Sequence, residues 1–194
     1  MTPRTSEKYI EIRSTSKQKI MDVTLELFAN EGYYQTSIST IAKRAGISKG
    51  LMYNYFDSKD ELLKAIVFNG MDSLIQFFDT NQDGILTRDE LLGFISNSIT
   101  NIKENIVYWK LYFSLMVQPN VIKLFENELI AMIDPFFKML YVYFKSEGYD
   151  DPNAEVRFFQ SLLDGVGLSY VSDPDNYPID GVEKKIISMY SKKF

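Results

Sequence analysis

Apolar side chains recur every third or fourth position along most of the chain, with little strict alternation and no Asn-Gly hairpin signal. Such spacing puts them on one stripe of a helix and offers no half-buried strand. Ile20, Val23, Leu27 and Phe28 form the first stripe, and Gly32 supplies its stop. The pattern predicts helices over about 16–31, 38–45, 49–55, 58–78, 88–103, 105–117, 120–147, 152–172 and 180–193. Thr36 or Ser37 opens the second as N-cap, Gly46 closes it, and Ser48 caps the third. Asp60 and Glu61 fall in the first turn of the fourth, where the helix dipole favours acids. Pro135 inside the seventh predicts a kink or break. The fold class is all-α, about nine helices, with a small three-helix unit feeding a larger helical body.

Composition closes off much chemistry. With 194 residues and 45% hydrophobic content the chain can bury a core. It contains no Cys and no His, which removes disulfides, thiolate or imidazole metal sites and every Ser-His or Cys-His catalytic pair. No convergent carboxylate pair stands out, so the chain reads as a non-enzyme. The net charge is −5, but it is unevenly placed. Residues 1–64 hold 10 Lys/Arg against 8 Asp/Glu, and residues 65–194 hold 11 against 18. The first third can therefore meet a polyanion while the rest stays acidic. Residues 1–14, with Arg4, Lys8 and Arg13, read as a mobile cationic tail. The start lacks the apolar core of a secretory leader, and no apolar run nears the ~20 residues of a membrane span. The expectation is a cytoplasmic protein with no membrane partner.

Residues 36–56 read TSISTIAKRAGISKGLMYNYF. Two short helices flank Ala45-Gly46-Ile47-Ser48, and Gly46 supplies the left-handed residue that a tight turn needs. Ile38, Ile41 and Ala42 face inward from one helix, Met52 and Phe56 from the other. The outer face of the second helix carries Lys49, Gly50, Leu51, Tyr53, Asn54 and Tyr55. Long donors, an amide, phenol hydroxyls and a residue without a side chain suit entry into a DNA major groove. From Ile20 to Leu62 the sequence resembles the DNA-binding domain of TetR-type transcriptional regulators. Leu27-Phe28, Gly32-Tyr33, Thr36-Ser37, Ile41-Ala42, Ala45 to Gly50, Tyr53, Phe56, Ser58-Lys59 and Leu62 carry the resemblance. It implies a helix-turn-helix domain over 15–62 and a ligand-binding and dimerisation domain over 63–194. It also implies phosphate contacts from Thr36, Ser37, Tyr53, Tyr55 and Lys59, with Lys49, Gly50, Leu51 and Asn54 nearest the bases. Tyr55 stands where the family often has His, and Ser39 and Thr40 stand where it often has Arg. The partner implied is a double-stranded operator, bound by a homodimer acting as a repressor.

A second motif lies at 79–90, DTNQDGILTRDE. It satisfies the pattern of a calcium-binding EF-hand loop: Asp79, Asn81 and Asp83 as side-chain ligands, Gly84 at the turn, Ile85 through its carbonyl, Thr87 through water and Glu90 at the last position. Amphipathic flanks agree with it. A polar connection between two helices also satisfies the pattern, and no second loop is present to pair with it. No cofactor is expected to be required; the loop is a candidate Ca²⁺ site beside the plain reading as a polar connection, and a calcium sensor or buffer stands as the alternative function.

The body is rich in aromatics and Met between 106 and 144. Trp109, Phe113 and Met116 have core spacing, yet together with Tyr108, Tyr112, Phe137 and Tyr141 they suit an apolar ligand cavity with phenolic handles. The resemblance implies a small apolar or amphipathic effector here. It also implies that the last two helices carry the dimer. Phe158, Phe159, Leu162, Leu163 and Val166 form a broad apolar face there, with Gly165 and Gly167 permitting close approach. Asp164 within that face needs a partner.

Overall fold

The computed structural model describes residues 6–191, and every regular element among them is a helix. These are α1 (Ser6–Glu31), α2 (Ile38–Ala45), α3 (Lys49–Met52), α4 (Lys59–Ile75), α5 (Arg88–Glu104), α6 (Ile106–Met116), α7 (Pro119–Ile122), α8 (Glu126–Ser146), α9 (Pro152–Ser172) and α10 (Ile179–Tyr190). The chain divides into two compact units, one ending at Phe68 and one beginning at Asn69. That division falls a few residues further along α4 than the boundary expected at 62.

In the first unit, Ile20, Leu27, Phe28, Ile41, Ala42, Ala45, Met52, Phe56, Leu62 and Leu63 are all buried. Removing each large side chain from water contributes about 1.5–3 kcal/mol before the entropy of ordering it. Gly32 leaves α1 at φ 89°, donating its N–H to the Phe28 carbonyl at 3.1 Å. Tyr33 then stacks edge-on against Phe28. Helix α1 extends back to Ser6, so residues 6–14 of the tail expected over 1–14 are helical; residues 1–5 lie outside the described residues. The stretch SEKYIEIRST lacks an apolar stripe, but its residues tolerate a helix well and add turns to one already nucleated.

In the second unit, α8 packs on α9, α6 on α9 and α10 on α5. Phe94 touches Phe78, Phe136 and Phe159, and Phe144 meets Phe159 and Tyr190. Three polar ties fasten helices at the rim: Arg88 to Glu147, Lys103 to Asp180, and the Tyr190 hydroxyl to Glu155. The single helix expected over 120–147 is two, and the break is not at Pro135. The chain turns at 123–125, where the fully buried Phe125 adopts φ −145°, while Pro135 rides inside α8. Burying Phe125 fixes the corner, and α8 absorbs the hydrogen bond that Pro135 cannot donate.

Gly70 of α4 faces the Tyr108 ring so closely that a Cβ there would overlap it. Tyr108 is only 7% exposed and has the Trp109 ring 5.5 Å away, so it has little room to swing. Gly70→Ala gains about 1 kcal/mol of helix propensity but expels a large buried ring, which costs about 3 kcal/mol. The expected net loss is about 2 kcal/mol, read as a Tm lower by roughly 4–8 °C in a thermal melt. An unchanged or higher Tm would contradict this packing.

Candidate functional site

The α2–turn–α3 segment is fixed by local chemistry. The Ser37 hydroxyl accepts the Thr40 N–H at 3.1 Å, which opens α2. Gly46 closes it at φ 72°, ψ 31°, with its N–H on the Ala42 and Lys43 carbonyls. The Ile47 N–H returns to the Ala42 carbonyl at 3.0 Å, and the Ser48 hydroxyl accepts from Leu51 N–H at 3.0 Å. These bonds set the angle between the two helices without any ligand. With Met52 and Phe56 turned inward, Lys49, Gly50, Leu51, Tyr53 and Asn54 are exposed on one side. No side chain or backbone comes within 4 Å of a Cβ built on Gly50, so that surface is open.

Other residues expected on this face are engaged elsewhere. Thr36 is 1% exposed and donates its hydroxyl to the Gly32 carbonyl at 2.9 Å, so it cannot serve a phosphate. Lys59 directs its ammonium to the carbonyls of Tyr33 and Thr36, at 2.8 and 3.1 Å, and lies over the Tyr33 ring. Burial lowers its pKa. Both corrections have one cause: these side chains tie the start of α4 to the connection after α1, where Tyr33 also donates to Asp60. Ser37 remains exposed, and Tyr55 is half-buried. Arg13, read from the sequence only as one cation of the tail, is the residue whose place on this face sequence reasoning did not give. Placed on α1, it donates to the Asn54 carbonyl at 3.0 Å and lies 5.7 Å from the centre of the Tyr55 ring. The extra turns of α1 bring it there, and nothing in its own neighbourhood of sequence signals that.

In the second unit a cavity of about 120 Å³ opens among α4, α5, α6, α8 and α9. Of the expected ligand residues, Trp109, Tyr112 and Phe137 line it. Four do not. Tyr108 is packed against Gly70, Phe113 against Gly167, and Met116 is 48% exposed. Tyr141 lines a separate open hollow on the α8–α9 surface. Helical spacing names the residues of a helix but not which side faces a void; that is settled by the neighbours. The cavity wall also includes Met71, Leu74, Phe94, Phe136, Ile133, Gln160 and Asp164. Burial raises the Asp164 pKa, and a hydrogen bond from Gln160 only partly opposes it. Gln160 in turn accepts from Arg157 at 3.2 Å. The partner Asp164 needed is thus an amide, not a cation.

The loop 79–90 uses its polar groups on itself. Asp79 accepts from the Asp83 and Gly84 N–H groups, Asn81 donates to Asp83 and accepts its N–H, and Asp83 accepts from Ile85 N–H. Glu90 closes a capping box on α5, accepting the Thr87 N–H at 3.0 Å and the Thr87 hydroxyl at 2.7 Å. Thr80 donates to its other oxygen, and these bonds hold the Glu90 pKa down. Among the described residues no three acidic side chains gather to hold a metal ion. The structure thus gives no support to the Ca²⁺ site expected at Asp79, Asn81, Asp83, Ile85, Thr87 and Glu90, whose polar groups form a tight turn and a helix cap. The same letters serve both, because a carboxylate at a helix N3 position is also a good cap.

Helix α9 has two apolar sides. Phe159 is 1% exposed and Val166 5%, both inside this chain, and Leu163 lines the cavity. Phe159 and Val166 are therefore packed inside this chain and not on a free face, which corrects that expectation for these two; Leu163 is half-buried. Leu162 is half-buried. Outward lie Phe158 (50% exposed), Ser161, Gly165 and Leu168 (51%), at spacings of three, four and three.

Comparison with known proteins agrees with this architecture. Residues 20–66 match the model of bacterial regulatory proteins of the tetR family. The chain is 32% identical over 131 residues to IcaR of Staphylococcus epidermidis, the negative transcriptional regulator of the biofilm operon icaADBC. That alignment covers 61% of this chain and 70% of IcaR. It is 31% identical over 77 residues to the fatty acid metabolism regulator protein of Bacillus subtilis, 40% of either chain. Among solved structures, Salmonella enterica GusR superposes with a TM-score of 0.70 at 22% identity, covering 91% of this chain and 94% of that one. A transcriptional regulator from Rhodococcus sp. does so at 0.69 and 16% identity, covering 90% and 94%. At such identities the structures speak to the fold alone. The chain belongs to the TetR family of bacterial regulatory proteins. It is a DNA-binding transcriptional regulator and not an enzyme.

The raised Asp164 pKa makes stability depend on pH. Between the unfolded carboxylate value of ~3.9 and the higher folded value, the folded chain holds a proton that the unfolded chain has lost. Stability from that proton is complete below the unfolded value and is lost as pH rises through the folded one. Asp164→Asn is uncharged throughout, so it should melt higher than the parent at pH 7. Its advantage should shrink toward pH ~4. Since about 1 kcal/mol moves Tm by roughly 2–4 °C at this chain length, paired melts across pH resolve the effect. Equal melting at pH 7 would show that the carboxylate is not strained.

Proposed function

We propose that this regulator is a repressor that binds a pseudo-palindromic operator in the cytoplasm as a homodimer and is released by a small apolar or amphipathic effector. The supporting observation is the capped α2–turn–α3 segment with its open outer face. Four-residue α3 and the turn after it present Lys49, Gly50, Leu51 and Asn54 toward base edges, with Ser37, Tyr53 and Tyr55 on flanking phosphates. Arg13, one turn of space from Tyr55, adds a cation to the same side. One such unit buries too little DNA for tight specificity, so two copies spaced by about one helical turn are needed.

The dimer is assigned to the outward side of α9, where Phe158 and Leu168 stand in solvent around Gly165. Met189 of α10 is likewise exposed. A Cβ on Gly165 would meet nothing in this chain, leaving room for a second helix to approach. The cavity is assigned to the effector. Helix α4 carries the coupling: Leu62, Leu63, Ile66 and Val67 are buried near its start, and Met71, Leu74 and Ile75 line the cavity near its end. An effector releases DNA only if it binds the arrangement with the wrong recognition-helix spacing more tightly.

Two substitutions test the DNA face. Lys49→Ala should weaken a mobility shift on the chain's own promoter by about tenfold, and Tyr53→Phe by less, with circular dichroism unchanged. Unaltered shifts in both would refute the assigned face. Leu168→Glu should give a monomer in sedimentation and lose operator binding at concentrations where the parent is dimeric. A dimer that persists would move the interface elsewhere.

A further inference from the structure

Taking the cavity as the effector site proposed above, we infer that its ligand is an organic cation, an amine or quaternary ammonium on a hydrophobic body, held with its charge against Asp164. The wall is apolar and aromatic, with Trp109, Tyr112, Phe136 and Phe137 around it, and Asp164 is the acid among its residues. No Lys or Arg lines the cavity among the described residues. Arg157, the cation nearest along α9, is exposed, donates to Gln160 and lies over the outer Phe137 ring instead. With its oxygen accepting from Arg157, Gln160 has its amide nitrogen left to offer Asp164. One neutral donor leaves a carboxylate in an apolar wall poorly compensated.

Of the other polar groups of the wall, the Tyr112 hydroxyl lies beside the Asp164 charge, which an anion would also meet, and two more donors are already engaged. The Ser98 hydroxyl donates to the Phe94 carbonyl at 2.7 Å, and the Trp109 indole N–H donates to Asn101 at 2.9 Å. An anionic head group would meet Asp164 with those donors already used. A neutral ligand would bury Asp164 further without pairing it. A cation removes the penalty and gains the faces of Trp109, Tyr112 and Phe137, whose ring quadrupoles attract positive charge. Tyr112 already senses the Asp164 charge: burial and then that carboxylate raise its pKa. Asp164 and Tyr112 thus lie close together in the same cavity wall.

Trp109 is the single Trp of the chain and lies in the wall, so its fluorescence reports occupancy directly. The full chain is titrated with benzyltrimethylammonium, with neopentylbenzene, which replaces the charged nitrogen by carbon, and with 3-phenylpropionate. The cation should bind at least about tenfold more tightly than the carbon isostere, and the anion should bind weakest. Asp164→Asn should lose about tenfold for the cation and keep its affinity for the isostere. Equal or tighter binding of the isostere or the anion overturns the inference. So does an Asn variant with undiminished cation affinity, or no response of Trp109 to the cation. A mobility shift run beside each titration separates this from the release mechanism. Operator complexes dissolved by the isostere or anion but not the cation would keep effector release and reject the cation. Asp164-dependent cation binding that leaves the operator complex intact would keep the site and reject release.

Discussion

The anchoring of the start of α4 is the interaction on which the first unit depends. Lys59 spans two carbonyls, those of Tyr33 and Thr36, while Tyr33 donates to Asp60 in the next position. One side chain and its neighbour thus satisfy the open carbonyls between α1 and α2 and hold the first turn of α4 against them. Each bond is modest by itself, about 1 kcal/mol net and somewhat more with a charged donor. Their value is geometric. The connection that carries Ser37, the N-cap of α2, cannot drift relative to α4, so the turn at Gly46 is presented from a fixed base. The same helix then runs on to Met71, Leu74 and Ile75 in the cavity wall. Lys59, read from the sequence as a phosphate contact, is in the structure a fastening between α4 and the connection after α1.

Local signals were legible in the sequence wherever local chemistry decides the outcome. Helix α2 begins and ends where Ser37 and Gly46 place it, because an N-cap hydroxyl and a left-handed glycine act within four residues. Helix α5 begins at Arg88 for the same kind of reason. What escaped depended on distant neighbours. The first turns of α1 have no apolar stripe to read. Pro135 carries a strong local preference for a break, yet the corner falls at 123–125, where burial of Phe125 dominates. The loop at 79–90 matches a metal-binding pattern in every position, but the same residue types and spacing also suit a tight turn that runs into a helix cap. Here the oxygens of Asp79, Asp83 and Glu90 turn to N–H groups of their own loop.

Helix α9 shows the limit of periodicity most clearly. Phe158 and Phe159, adjacent in sequence, lie 100° apart around the helix, one half in solvent and one enclosed by Phe94, Phe144 and Tyr190. Apolar residues on both sides of a helix announce two contacts without saying which is internal. Only the packed structure assigns Phe159 and Val166 to the core, Leu163 and Asp164 to the cavity, and Phe158, Gly165 and Leu168 to the outside. The three environments share one helix.

Asp164 is the point where stability and function part. A chain selected only to fold would place Leu or Asn at this position of α9, since an apolar wall penalises a carboxylate and a lone amide compensates it in part. An acid there gives the cavity wall a carboxylate that burial disfavours and one amide compensates in part. Any ligand that supplies the rest of that compensation is bound by the relief of a strain already present, and its discrimination follows from sign before shape. A purely apolar cavity of the same size would rank ligands by volume and area, which separates near neighbours by only ~1–3 kcal/mol. The carboxylate converts the same space into one that distinguishes a cation from its uncharged isostere.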